Sequence, residues 1–289
     1  MQVRKVCILG TGTMGSQVAQ LAATTGYEVS MVDIEDSFVQ GGLEAIKGNL
    51  KKFFIDKGSM TQEEGGKVFD RIEGTTDLKR AVEGAQVVIE CIPEEMELKQ
   101  QTFKRLDELC APETILASNT SSLSITAIGS LTRRQDKVIG MHFFNPVVVM
   151  RLIEIIRGAG TSDETYQVIK DMSTKFGKEV ITVNKDTAGF VVTRLFLVLS
   201  NEAVKLLEEG VATVEDIDKA CHLGLGHAMG PLKSQDIVDG IPVTLHCLDY
   251  MREQFGDSYS PCLLWRKKVL AGELGMKVGK GFYDYSQQQ

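Results

Sequence analysis

Two polar signatures stand where apolar runs stop, and both carry groups that can handle a proton. Ser118-Asn119-Thr120-Ser121-Ser122 follows one apolar run and His142-Phe143-Phe144-Asn145-Pro146 follows another. An imidazole changes charge near neutral pH and so can take or give a proton. Hydroxyls and an amide can donate to an oxygen on which negative charge develops. On its own His142 is as readily a core or surface histidine as a catalytic one. Glu154 weighs on the catalytic side, because it lies within Leu152-Ile153-Glu154-Ile155-Ile156, where an ionised carboxylate among aliphatic neighbours is costly unless it is paired. The run that holds Glu154 follows the run before His142 by one short connection. Neighbouring strands would therefore bring the carboxylate to the imidazole and orient the ring. The other reading of Glu154 is the outward face of an edge strand.

A third constellation opens the chain. Gly10, Thr11, Gly12, Thr13, Met14 and Gly15 form a GxGxxG element directly after an apolar run and before a helical pattern through Val18, Ala19, Ala22 and Ala23. In that context the first glycine permits a tight turn, the second lets backbone approach a pyrophosphate, and the third lets the helix pack closely on a sheet. Asp33 ends the next apolar run, where a carboxylate can bond both ribose hydroxyls of a dinucleotide. It would repel a 2'-phosphate, and Ile34 and Glu35 follow it with no arginine, so NAD is expected over NADP. The alternatives are a glycine turn without a ligand and a solvated aspartate at a strand end.

These groups need a scaffold that gathers strand ends. Short β-branched runs at 6–9, 28–32, 86–92, 114–117, 137–141, 152–156 and 179–183 alternate with amphipathic stretches, the pattern of a mostly parallel sheet covered by helices. In such a sheet the carboxyl ends of the strands face the ligand crevice, which is where both polar signatures and the glycine turn fall. Between Ser37 and Phe69 helical spacing interrupts the rhythm, with Lys51, Lys52 and Lys57 within it and a break near Gly58, and this predicts an inserted helical hairpin. From Asp186 onward long helical patterns at 191–208 and 214–223 take over. The expected architecture is α/β: a Rossmann-type domain over 1–184 and an all-helical domain over 185–289 that dimerises. Leu195, Phe196, Leu199, Val204 and Leu207 on one long helix carry more apolar surface than a domain of that size readily hides.

Composition removes several other classes. The chain has 289 residues, 43% hydrophobic and 25% charged, with formal net charge −7. That balance argues against disorder and against a broad nucleic-acid surface, and no apolar run is long enough to span a membrane. The six cysteines lack CxxC spacing, so neither disulfide nor metal is expected. The N-terminus runs directly into an apolar strand, so no leader and a cytoplasmic location are expected, and the tail 287–289 is expected to fray.

Taken together, GTGTMG with Asp33, CIPEEMELK, ILASNTSSLSI, KVIGMHFFNPVVVMRLIEII, KDTAGFVV, LGLGHAMGPL and KVGKGFYDY resemble the 3-hydroxyacyl-CoA dehydrogenase family, its bacterial 3-hydroxybutyryl-CoA members included, across nearly the whole chain. The resemblance implies interconversion of a 3-hydroxyacyl-CoA and its 3-ketoacyl-CoA. His142 would take the substrate proton, Glu154 would hold His142, and Ser121 would contact the substrate oxygen. It further implies NAD contacts at Glu94, Lys99 and Asn119 beside the glycine motif, and CoA contacts from Lys51, Lys52 and Lys57. This chain departs from the pattern at Thr193, where the family's asparagine would share the substrate carbonyl with the histidine; threonine keeps a hydroxyl but lacks the amide. Further departures at Ala228, Ser234 and Val238 bear on acyl specificity. Two competing readings are a relative acting on a CoA-free hydroxy acid or hydroxy-amine, such as gulonate or carnitine dehydrogenases, and a non-catalytic NAD-binding protein.

Overall fold

The computed structural model describes residues 2–238 and 240–286; the tail 287–289 lies outside them. The chain divides into two compact units between Thr187 and Ala188.

The first unit runs β1 (Lys5–Leu9), α1 (Thr13–Thr24), β2 (Glu28–Val32), α2 (Asp36–Leu50), α3 (Gln62–Phe69), β3 (Ile72–Thr75), α4 (Leu78–Val82), β4 (Val87–Glu90), α5 (Met96–Leu109), β5 (Ile115–Ser118), α6 (Ile125–Gly129), β6 (Val138–Phe143), β7 (Leu152–Arg157), α7 (Asp163–Lys175) and β8 (Glu179–Val183). The strands form one sheet in the order β3-β2-β1-β4-β5-β6-β7-β8. All neighbours are parallel except β6 and β7. Strands β4, β5 and β6 are buried at every position, as expected for parallel strands covered on both faces, and this is why they read as unbroken apolar runs.

All seven predicted strands are present, and β3 is an additional one. Its sequence, Ile-Glu-Gly-Thr, hides it, because a glycine and a glutamate break any apolar run. Gly74 is there for close packing: a Cβ at this position would lie 2.5 Å from Val39 of α2. The inserted hairpin is α2 and α3, joined through a π-helical turn at Lys51–Ile55. Thr61 and Glu64 close a reciprocal capping box at the start of α3, satisfying two otherwise orphan N–H groups.

The second unit is helical: α8 (Val192–Glu208), α9 (Val214–Leu225), α10 (Pro231–Ile237), α11 (Ile241–Phe255) and α12 (Leu263–Leu270). Its core gathers Leu197, Val204, Leu232, Leu248, Met251 and Trp265. Two buried carboxylates close the unit: Asp236 accepts the Phe282 and Tyr283 N–H groups at 2.8 Å each, and Asp218 accepts the Leu232 and Lys233 N–H groups. No helix among the described residues is long and apolar enough to cross a membrane.

Candidate active site

The antiparallel step from β6 to β7 sets His142 directly opposite Glu154. Directly opposed residues project to the same face of a sheet, and here the imidazole Nδ1 lies 2.7 Å from the Glu154 Oε2. Glu154 is 0% exposed and His142 4%. Because β8 covers the other side of β7, with Ile181 beside Glu154, Glu154 does not sit on an edge strand. A ring whose Nδ1–H donates to a carboxylate leaves proton exchange to Nε2. The Phe144 ring packs 4.4 Å from the imidazole, centroid to centroid.

The serine-rich loop is tied to that strand. Asn119 Oδ1 accepts the Phe143 N–H at 2.8 Å, joining the ends of β5 and β6. Glu94 gathers the rest of the loop, accepting from the Thr120 hydroxyl at 2.5 Å, the Ser121 N–H at 2.9 Å, and the Ser122 N–H and hydroxyl at 3.1 Å each. Ser121 is half-buried, and its backbone N–H is the group that Glu94 holds. Asp186 caps α6 just beyond, accepting the Ser124 hydroxyl at 2.6 Å and the Thr126 N–H at 2.7 Å.

Beneath the loop lies a buried ion cluster. Lys99, 1% exposed, places its ammonium 2.6 Å from Glu90 Oε1, 3.4 Å from Glu94 Oε2 and 3.2 Å from the Ile92 carbonyl. Glu90 is 0% exposed and also accepts from the Ser118 hydroxyl at 2.6 Å and the Ile92 N–H at 2.8 Å. Burial works against charge on Lys99, but the two carboxylates outweigh it and hold its pKa above the usual lysine value. Burial likewise works against charge on Glu94, and Lys99 with the loop's donors holds its carboxyl below the usual range. The ammonium is turned inward, so Lys99 bears on the loop by holding Glu94.

The glycine turn opens a cleft of about 1010 Å³ lined by Gly10 to Met14, Asp33, Ile34, Phe38 and Cys91 to Pro93, among others. Gly10 has φ +95°, and a Cβ on Gly15 would lie 1.9 Å from the Gly10 carbonyl oxygen, so the turn and the close packing of α1 both demand glycine. At Gly12 a Cβ would meet nothing within 4 Å, which leaves room for a ligand against the backbone. Gly12 is also the N-cap of α1 and supplies no side-chain cap, so the first-turn N–H groups are available to an anion. Asp33 is anchored by the Thr11 N–H at 2.7 Å and the Thr11 hydroxyl at 2.9 Å. These residues fit a dinucleotide. Arg105, from α5, lines the same cleft and pairs with Glu108 at 2.7 Å; it is remote in sequence from Asp33.

The remaining candidates are on the hairpin and in the second unit. Lys51, Lys52 and Lys57 are exposed on the hairpin, with Lys52 and Lys57 flanking the Phe53 ring at 5.3 and 5.5 Å; none of the three lines the cleft. Thr193 is half-buried in the first turn of α8 in the second unit. Glu90, Asp186 and Gln17 bond to the segments that carry the candidates and were not among the residues singled out from the sequence. The signal for Glu90 was the one used for Glu154, a carboxylate within an apolar run.

Residues 5–187 match the 3-hydroxyacyl-CoA dehydrogenase NAD binding domain, and residues 189–285 match the C-terminal domain of the same family. A Bacillus subtilis protein named probable 3-hydroxybutyryl-CoA dehydrogenase is 45% identical over 289 residues, covering 100% of this chain and 99% of the relative. A Clostridioides difficile 3-hydroxybutyryl-CoA dehydrogenase is 40% identical, covering 98% of this chain and 100% of its own length. The crystal structure of (S)-3-hydroxybutyryl-CoA dehydrogenase from Ralstonia eutropha superposes with a TM-score of 0.92 at 41% identity, covering 98% of this chain and 99% of that one.

Proposed function

Since the chain belongs to the 3-hydroxyacyl-CoA dehydrogenase family and is an NAD-dependent oxidoreductase of that type, we propose that it interconverts a short-chain 3-hydroxyacyl-CoA, such as 3-hydroxybutyryl-CoA, and its 3-ketoacyl-CoA, with His142 and Glu154 as the acid/base pair. The observation that carries this reading is the buried 2.7 Å contact between the imidazole and a carboxylate at the carboxyl end of β6. When bound, NAD supplies the nicotinamide carbon that exchanges hydride with the substrate C3. His142 Nε2 takes the hydroxyl proton in oxidation and returns it in reduction, while Glu154 holds the ring and offsets the positive charge that forms on it. Ser121 and Thr193 donate to the substrate oxygen. Asp33 would bond the ribose hydroxyls, Gly12 to Gly15 would receive the pyrophosphate, and Asn119 and Glu94 would contribute further NAD contacts, with Lys99 holding Glu94. Lys51, Lys52 and Lys57 take the phosphates of CoA.

Steady-state oxidation of NADH with acetoacetyl-CoA, longer 3-ketoacyl-CoAs and free acetoacetate tests this reading. Turnover is expected to be highest with acetoacetyl-CoA. Equal turnover with the free keto acid would favour a CoA-independent relative, and none with any of them a non-catalytic protein. NADPH is expected to be worse than NADH by on the order of 100-fold in kcat/KM, because a 2'-phosphate beside Asp33 suffers like-charge repulsion. Equal efficiency with the two coenzymes would contradict the role of Asp33.

The assembly proposed is a cytoplasmic homodimer formed through the second unit. Val204 is buried in that unit's own core, but Leu195 is 67% exposed and Val198 49%, and they line an apolar groove with Phe190 and Leu199. Sedimentation at micromolar concentration should give a dimer that Leu195→Glu weakens; a monomeric parent would remove the proposal.

A further inference from the structure

We propose that Gln17 is a positioning residue that couples the cofactor-binding helix to the loop carrying His142, an inference that rests on His142 as the proton-transfer group. Gln17 lies in α1, 8% exposed. Its Nε2 donates to the Thr13 carbonyl at 3.1 Å and to the Asn145 Oδ1 at 2.9 Å. Its Oε1 accepts the Val147 N–H at 2.7 Å. Both amide hydrogens and the amide oxygen are thus engaged, as a buried amide requires if it is not to weaken the fold.

The bonds join two functional segments. Thr13 begins α1 at the turn expected to hold the pyrophosphate, while Asn145 and Val147 lie just beyond His142. Val147 is 1% exposed and belongs to the first unit's core, so its N–H is an anchor inside the protein. From the other side Asn119 holds the Phe143 N–H. The backbone leaving His142 is therefore pinned at 143 by Asn119 of the serine loop and at 147 by the cofactor helix, which also holds the Asn145 side chain. Gln17 touches neither reacting atom; it fixes the distance between the helix that seats the cofactor and the loop that carries the acid/base group. Catalysis is sensitive to such placement, since a shift of about 1 Å can cost 10²-fold in rate.

The test compares Gln17→Met and Asn145→Ala with the parent, in wild-type and His142→Gln backgrounds. Readouts are kcat and KM with acetoacetyl-CoA, NADH affinity by the fluorescence of the bound coenzyme, and thermal unfolding. Gln17→Met keeps length and apolar volume and is expected to lower kcat about 10- to 100-fold with NADH affinity nearly unchanged. Asn145 is exposed, so Asn145→Ala cuts the same link with little folding risk, and about a fivefold loss in kcat is expected from one hydrogen bond. In the His142→Gln background the further loss should nearly vanish, because the residues act as a unit. Parent-like kcat in both folded variants, or the same fractional loss with and without His142, overturns the coupling. The reading of His142 itself is judged separately, by the turnover of His142→Gln alone.

Discussion

The His142→Gln enzyme is expected to turn over acetoacetyl-CoA about 10²- to 10⁴-fold more slowly than the parent, the range of a lost general acid/base. Its NADH affinity should stay nearly intact, since the cleft around Gly10, Gly12 and Asp33 contains no atom of His142. Glutamine fills similar space and can still donate to Glu154, so the buried carboxylate keeps a partner and folding should survive. Rates measured at saturating NADH, beside a direct NADH titration, separate loss of chemistry from loss of cofactor. A large rise in the NADH dissociation constant would instead mean that His142 supports the cofactor site.

Lys99→Met is expected to have the largest effect on stability, about 3–5 kcal/mol, because it leaves a fully buried carboxylate without its cation. Glu90 is 0% exposed, and its remaining donors, the Ser118 hydroxyl and the Ile92 N–H, are neutral. Adding Glu90→Gln should recover part of the loss by removing the uncompensated charge. The variant should also change the response to acid. Glu94 has a folded pKa below its usual value, so it contributes stability that is present above the unfolded carboxylate range and lost as pH falls through the folded value. Removing Lys99 takes away a cause of that lowering, and the acid limb of the stability curve should move to higher pH. Denaturant unfolding at neutral and acidic pH measures both effects; a Lys99→Met protein within about 1 kcal/mol of the parent at pH 7 would contradict the pairing, since truncation there would have cost no more than an ordinary substitution.

Much of this site was legible because the sheet is mostly parallel and buried. Strands such as Val87–Glu90 and Ile115–Ser118 appear as apolar runs, and their carboxyl ends mark the crevice. Glu154 stood out as a carboxylate inside such a run. The pairing itself was less legible, because it depends on β7 running antiparallel to β6, with a register that periodicity does not encode. Glu90 interrupts the run 86–92 much as Glu154 interrupts its own, but with no histidine signature beside it nothing in the sequence names its partner. Lys99 sits in a stretch of helix dense with charge, where nothing local separates an inward ammonium from an outward one. Gln17 is subtler still: its partners Asn145 and Val147 are 128 and 130 residues away, and only the folded chain brings them together.

The most direct test of the central claim is a double-mutant cycle across His142 and Glu154, with kcat measured on acetoacetyl-CoA and NADH. Glu154→Gln keeps the shape of the β7 side chain while removing the charge that holds the ring, so it should slow turnover on its own. If the two side chains act as one proton-handling unit, the double variant should be little slower than His142→Gln alone, the two losses being far from additive. Losses that multiply in full, or a His142→Gln enzyme with near-parent turnover, would place the proton transfer on another group.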